Sequence, residues 1–409
     1  MTQDMPTPNE KQPVKTIMPN TVLDFQCIMG ACEDNCCRNT TWSISVDPAS
    51  YRKYEGLGNE VGERILSCIE GEAPDYKFRV FDDGKCPLML ESGLCFIHKE
   101  LGAEFLCKTC ATYPRLYFTF NGCYEHWLSL SCPEVVRHVL YRRRGISYVD
   151  GWVQALAAPE SGPRDAEKVM VRDTLAKIVS YRKLGLREKL LYMGMFMRSM
   201  SKLSVQASTY AKDARQTVKN YINGLSDARK TLRDVMAKLG EKGKESRNGI
   251  LLTVSMIASN VAIPPKMHPH GIENEKYYTL MGEFYNDIKE GKVQGYLLEA
   301  YDNLVVPYVN SKTHVFENYL MYVLMSSMFM NDSSDYAACY AGFAGEFVTM
   351  LTFACMFHEN EIFGDEEMVI AMYLFHRRIS HSTELRKNLA SFFSDNLLVF
   401  MVGALGGIK

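Results

Sequence analysis

Cysteine is a soft metal ligand and, as thiolate, a nucleophile; this chain concentrates it at one end. Eleven of the thirteen cysteines lie at or before Cys132, and the rest of the 409 residues hold only Cys339 and Cys355. FQCIMGACEDNCC carries Cys27, Cys32, Cys36 and Cys37, KCPLMLESGLC carries Cys86 and Cys95, LCKTCATYPR carries Cys107 and Cys110, and LSLSCPEVVR carries Cys132. Only Cys107 and Cys110 have the two-residue gap common in zinc knuckles. The ferredoxin run C-x2-C-x2-C-x3-C-P is absent. A structural zinc and a [4Fe–4S] cluster each take four thiolates, and the chain has more than enough for either. Cys68, Cys123, Cys339 and Cys355 read as small buried residues instead.

The elements that must position these thiols are short. GACEDNCC can form a helical turn, with Cys32 and Cys36 on one face and Cys37 about 100° away. TWSISV, 41–46, alternates as a short strand. Asp47 and Pro48 then suit a helix start carrying Tyr51 and Tyr54. An amphipathic helix is expected over 60–70, loop-like chain over 74–94, and a helical pattern over 96–107. LYFTF and CYEHWLSL flank Asn121-Gly122, the strongest local hairpin signal. A helix should follow Pro133.

Residues 145–165 are richer in Gly, Pro and Ser and read as a linker. Beyond them the pattern turns helical: 175–192, 202–222 and 227–239, a polar break at 241–249, then 250–261, 273–290, 313–330, 336–358 and 366–378. The expected fold is mainly α. Residues 1–20 are a flexible leader, 21–145 a small cysteine-rich metal domain with a β-hairpin, and 165–409 a multi-helix domain that binds a substrate protein. LLYMGMFMRSM and YLMYVLMSSMFM read as core stripes, or as a Met-rich groove for a partner helix.

Hydrophobic residues make up 47% and charged residues 23%, as in ordinary folded proteins, and the net charge of -2 gives no reason to expect a nucleic-acid partner. The polar start lacks the apolar core of a secretory signal, which points to the cytoplasm and to reduced thiols. The apolar stretches 318–330 and 336–358 read as buried helices, the second interrupted by Glu346, so no transmembrane segment is expected. Peripheral membrane contact through FFSDNLLVFMVGALGG stays open.

In their order, FQCIMGACEDNCC, CPLMLESGLCFIHKELG, CKTCATYPR and LSLSCPEVVR resemble the flagellin lysine-N-methylases (FliB-like proteins), within the wider CxxCxxCC metal-binding proteins. The motifs cover residues 25–137. The resemblance implies S-adenosylmethionine-dependent N-methylation of lysine side chains on flagellin, dependent on a [4Fe–4S] cluster. The positions it carries over as metal ligands are Cys27, Cys32, Cys36, Cys37, Cys86, Cys95, Cys110 and Cys132; the nearby Tyr113-Pro114-Arg115 and Glu134 also match its motifs. Cys107 ranks below Cys110. The eight thiols could serve one centre or two.

No glycine-rich turn of the Rossmann kind is found, and the radical spacing C-x3-C-x2-C fails because Asn39 stands in the third cysteine's place. The donor would therefore need an unfamiliar site. Methyl transfer to lysine also needs a base, because a free lysine has a pKa of about 10.4. Candidates are Tyr113, Glu125, Glu134 and Asp47, with Asp47 equally suited to cap a helix and Tyr113 to pack. Arg115 could grip the donor's carboxylate or form a plain ion pair. The rival reading is a non-enzymatic protein-binding module stabilised by zinc or an iron–sulfur cluster.

Overall fold

The computed structural model describes residues 12–37, 44–79, 81, 85–155, 158–162, 164–262, 286–287, 290, 292–326, 329, 335–357, 362–378 and 383–409. Most of the helix expected at 273–290 and the start of the 41–46 strand lie outside the described residues.

Strand β1 (Gln12–Pro19) replaces the described part of the expected flexible leader, whose first eleven residues lie outside the described residues. It lies inside a four-stranded sheet, between the parallel β6 and the antiparallel β7. The N-terminal prolines are compatible with this strand. The ladder to β6 is registered only at Thr16 and Ile17, so Pro13 and Pro19 fall beyond it and no amide is missed there.

The expected linker is likewise half strand. Its 148–155 portion pairs residue for residue with β1 as β7 (Tyr148–Ala155). Gly151 in this strand marks close packing: a Cβ there would lie 2.9 Å from Met18 Cε and 3.1 Å from Thr16 Cγ2.

Local signals elsewhere held. Strands β5 (Arg115–Phe120) and β6 (Cys123–Leu128) form the hairpin, with Asn121 and Gly122 at φ 49° and 70° as a type I′ turn needs. Asp47 caps α1 (Pro48–Glu55), accepting from the Ser50 amide at 3.0 Å. The next helix, α2, is shorter than expected (Glu60–Leu66), because the chain turns into β3 (Ile69–Glu70). With β2 (Ile44–Ser45) and β4 (Lys77–Phe78) it makes a small second sheet, ordered β2-β4-β3. Helices α3 (Phe96–Leu101) and α4 (Lys108–Thr112) follow.

Helix α5 (Pro133–Leu140) leads, after β7, into α6 (Asp165–Ser180), α7 (Leu186–Ser201), α8 (Tyr210–Asn223) and α9 (Ala228–Ala262). Helix α9 runs straight through the expected polar break at 241–249. That charged stretch is a solvated helix face, where Lys244 pairs with Glu241 three residues earlier at 2.8 Å. Its Gly243 lets α16 (Leu397–Ala404) approach closely, since a Cβ at Gly243 would lie 3.1 Å from the Gly403 amide. Between them come α10 (Val293–Ala300), α11 (Val306–Ser311), α12 (Thr313–Met325), α13 (Tyr336–Ala354), α14 (Asp365–Arg378) and α15 (Thr383–Ser394). Helix α13 is long and apolar enough to cross a bilayer, yet 83% of its most apolar stretch is buried within the fold. Its Glu346 pairs with Arg386 at 2.8 Å. The Met stripe of α7 is core: Met193, Met197 and Met200 are all buried.

The mainly α expectation therefore holds, with β structure near the N-terminus. Two hydrophobic cores divide the molecule differently from the expected boundary at 145. A small core joins Ile44, Tyr54, Phe78, Leu88, Phe96 and Ile97. The hairpin and α5, placed with the cysteine domain by sequence, belong to the large helical core. The reason is polar as well as apolar. The Tyr322 hydroxyl accepts from the Leu128 amide at 2.8 Å and donates to the Leu128 carbonyl at 2.7 Å. Asn318 donates to the carbonyls of Leu140 and Arg142 at the end of α5.

Candidate functional site

Six thiols line one cavity of about 50 Å³ against the small core: Cys36, Cys37, Cys86, Cys95, Cys107 and Cys110. Its remaining wall is mostly apolar, with Tyr113 at one side. Four separate stretches of chain meet here, and each is fixed locally. Asn35 accepts the Cys37 amide at 3.1 Å and donates to the Gly93 carbonyl at 3.4 Å. The Cys86 amide donates to the Cys37 carbonyl at 2.8 Å. Cys95 stands at the N-cap of α3 and Cys107 at the N-cap of α4, with Cys110 one turn on. Asp47 accepts the Lys108 amide at 2.9 Å and so ties α1 to α4 beside Cys107.

Main-chain N–H groups point at these sulfurs. Cys95 receives Ile97 and His98, Cys107 receives Thr109 and Cys110, and Cys86 receives Leu88. Such donors favour thiolate and tune any bound centre. The thiols also act on one another. Hydrogen bonding to Cys37 lowers Cys36 to about 7; burial opposes this and the Arg377 cation assists it. Cys37 is pushed up by its bonds to Cys36 and Cys86. Cys107 is lowered by hydrogen bonding to Cys110, which is raised in turn.

Three of the eight expected ligands stand outside the cavity. Cys32 and Cys132 are both pushed up to about 12, chiefly by burial, and each receives backbone N–H bonds. Cys132 feels the charge of Cys27, and Cys32 that of Cys132, so the three form a second neighbourhood. The structure brings together Cys36, Cys37, Cys86, Cys95 and Cys110 of the expected set. It adds Cys107, whose two-residue gap to Cys110 is the signal in the sequence that points to it. Among the described residues, no group of three or more Cys, His, Asp or Glu side chains is drawn close enough to grip one ion.

The other candidates scatter. Tyr113 lines the cavity, its hydroxyl 3.2 Å from Ser131 Oγ. Burial raises its pKa, so at neutral pH it is a phenol that donates rather than a base. Glu125 is buried in an ion pair with Arg172 at 2.7 Å and accepts Trp127 Nε1 at 3.2 Å, away from the cavity wall. Glu134 sits in the first turn of α5, 4.0 Å from Arg137, and its amide faces Cys132. Arg115 lies 5.9 Å over the Phe25 ring, and its charge adds to burial in lowering His126 to about 4. Neither residue lines the cavity.

The helical body decides the family. A model described as the FliB lysine N-methylase C-terminal domain matches residues 172–402, more than half of the chain. The chain belongs to the FliB lysine N-methylase family. Lysine-N-methylases of Salmonella choleraesuis (strain SC-B67) and Salmonella typhimurium (strain LT2) are 30% identical to it over 128 residues, 30% of this chain and 31% of theirs. The flagellar biosynthetic protein FliU of Salmonella muenchen is 30% identical over 128 residues, 30% of this chain and 75% of its own. The match thus spans about a third of the two lysine-N-methylases. No solved structure matches this FliB-family chain.

The donor set suits the group that the FliB resemblance implies. All thirteen cysteines are free thiols. Six of them line one apolar-walled space, with backbone donors on several sulfurs; the donor type is the one that iron–sulfur clusters and zinc take, although among the described residues no three of them are drawn together on one point.

Proposed function

We propose that this chain transfers the methyl group of S-adenosylmethionine to lysine amines of flagellin, with a [4Fe–4S] cluster held by thiols of the cavity. The observation that carries the reading is the convergence of six cysteines on one cavity in a chain of the lysine N-methylase family. Four of Cys36, Cys37, Cys86, Cys95, Cys107 and Cys110 would hold the cluster, with Cys36, Cys86 and Cys107 shifted toward thiolate beforehand. When bound, such a cluster supplies a Lewis-acidic, redox-active centre.

In the transfer itself, a bond forms between the lysine nitrogen and the methyl carbon. The carbon–sulfur bond breaks, its electrons stay on sulfur, and the amine proton leaves. Tyr113 is placed to donate a hydrogen bond at the cavity wall. Glu134, beside Cys132, is the acidic candidate for taking up the proton, whereas the Arg172 pair commits Glu125 to the fold. A reducing compartment, as in the cytoplasm, suits thirteen free thiols.

Co-expression with flagellin tests this reading. Lysine methylation read by mass spectrometry should appear with the parent and vanish with Cys36→Ser or Cys107→Ser. Iron and sulfide analysis of protein purified without oxygen separates a cluster from zinc. Unmethylated flagellin beside folded, metal-loaded protein would instead favour a binding module.

A further inference from the structure

One side chain of the helical body reaches into the thiol region. Arg377, near the end of α14, is almost fully buried, as is its partner Asp34, whose Oδ2 accepts from Arg377 Nη1 at 2.8 Å. Arg377 Nη2 also donates to the Asp34 carbonyl at 3.3 Å. Nε and Nη2 each donate to the Ser131 carbonyl at 3.2 Å. The guanidinium further stacks 5.0 Å over the Tyr373 ring of its own helix.

Both held segments are cysteine-bearing. Asp34 lies between Cys32 and Cys36, and Ser131 directly precedes Cys132. We propose that Arg377 is a positioning residue that fixes the 32–37 loop and the start of α5 against each other, and so sets the cavity thiols relative to Cys27, Cys32 and Cys132.

The chemistry explains the choice of residue. A planar guanidinium offers five donors in a rigid fork and can bridge two segments at once. Lysine presents its three donors from one nitrogen and cannot span both carbonyls and the carboxylate in this geometry. The pair is also insulated from water, so its bonds are charge-assisted and directional. Arg377 acts on both thiol groups electrostatically as well: its charge reaches Cys36 and Cys132. On the neighbouring turn of α5, Glu33, Glu134 and Glu366 gather on Arg137.

The inference extends the thiol-site reading above, but its test is run on metal-free protein, so failure to load iron or zinc refutes that reading without touching this one. Thiol alkylation by a maleimide is followed residue by residue with peptide mass spectrometry. Arg377→Lys should speed alkylation of the buried Cys132 by about tenfold, the scale of losing one charged hydrogen bond, while Cys355 in the helical core stays protected. Asp34→Asn should instead speed alkylation of Cys37 and leave Cys132 protected, because Arg377 keeps its bonds to Ser131. Equal exposure of Cys132, Cys37 and Cys355 would show a merely structural role and overturn the proposal, as would unchanged rates in both variants. Where Arg377→Lys does not fold, the Cys37-against-Cys132 contrast in Asp34→Asn decides alone.

Discussion

The small cysteine lobe and the helical body are held together in different ways. The helical body buries large hydrocarbon side chains, among them Phe196, Phe316, Phe343 and Phe347. Of the eleven buried residues in the small core, three are Cys68, Cys86 and Cys107. So little hydrocarbon cannot by itself offset the conformational entropy of ordering the lobe. The lobe relies on hydrogen bonds such as those of Asp47 and Tyr54, and its thiol wall is where a bound metal would add folding free energy. A lobe built this way should respond to pH, thiol reagents and metal, while the helical body does not.

The largest effect that would sharpen the comparison lies in the helical body. Glu125→Gln should leave Arg172 buried without its counter-charge and cost about 3–5 kcal/mol, read as a lower urea midpoint. The thiol lobe's alkylation pattern should not change. Unchanged stability with lost methylation would instead return Glu125 to the chemistry.

A middling effect is expected within the lobe. Asp47→Ala removes a cap and the acceptor for Lys108, and should cost about 2 kcal/mol locally, with Asn restoring most of it. Burial would raise the Asp47 pKa, but the amides of Lys108 and Ser50 outweigh it and hold the carboxylate down at about 2, below its ordinary 3.8. Because the folded value is the lower one, this contribution is present above pH 3.8 and is lost as pH falls toward 2. Hydrogen exchange of α1 and α4 should therefore quicken over that window in the parent and not in Asp47→Asn.

The smallest effect concerns Tyr54, fully buried, whose hydroxyl donates to the Phe105 carbonyl at 2.7 Å. Tyr54→Phe should cost about 1 kcal/mol, visible as faster exchange in the lobe alone. If the effect spread to the helices, the two regions would be one cooperative unit and the comparison would fail.

Much of this molecule was legible where the cause is local. Asn121-Gly122 specifies its own turn, Asp47-Pro48 its own helix start, and the apolar spacing of α13 its burial, because each depends on residues within a few positions. The N-terminal strand and β7 were not legible, since prolines and a glycine occur in a coil as readily as where a strand's ladder is incomplete or its packing is close. The polar stretch of α9 hid a helix for the same reason: charge marks a solvated face as readily as a break.

Sequence alone determined that soft ligands crowd the N-terminal third and that the remainder is helical. Only tertiary structure decided that Cys107 joins the cavity, that Cys27, Cys32 and Cys132 stand apart, and that Arg377 reaches from α14 to Asp34 and Ser131. The physical reason is range. Turns and caps are set by nearest neighbours, whereas convergence of distant thiols depends on how two separate cores pack and on which long side chain bridges them.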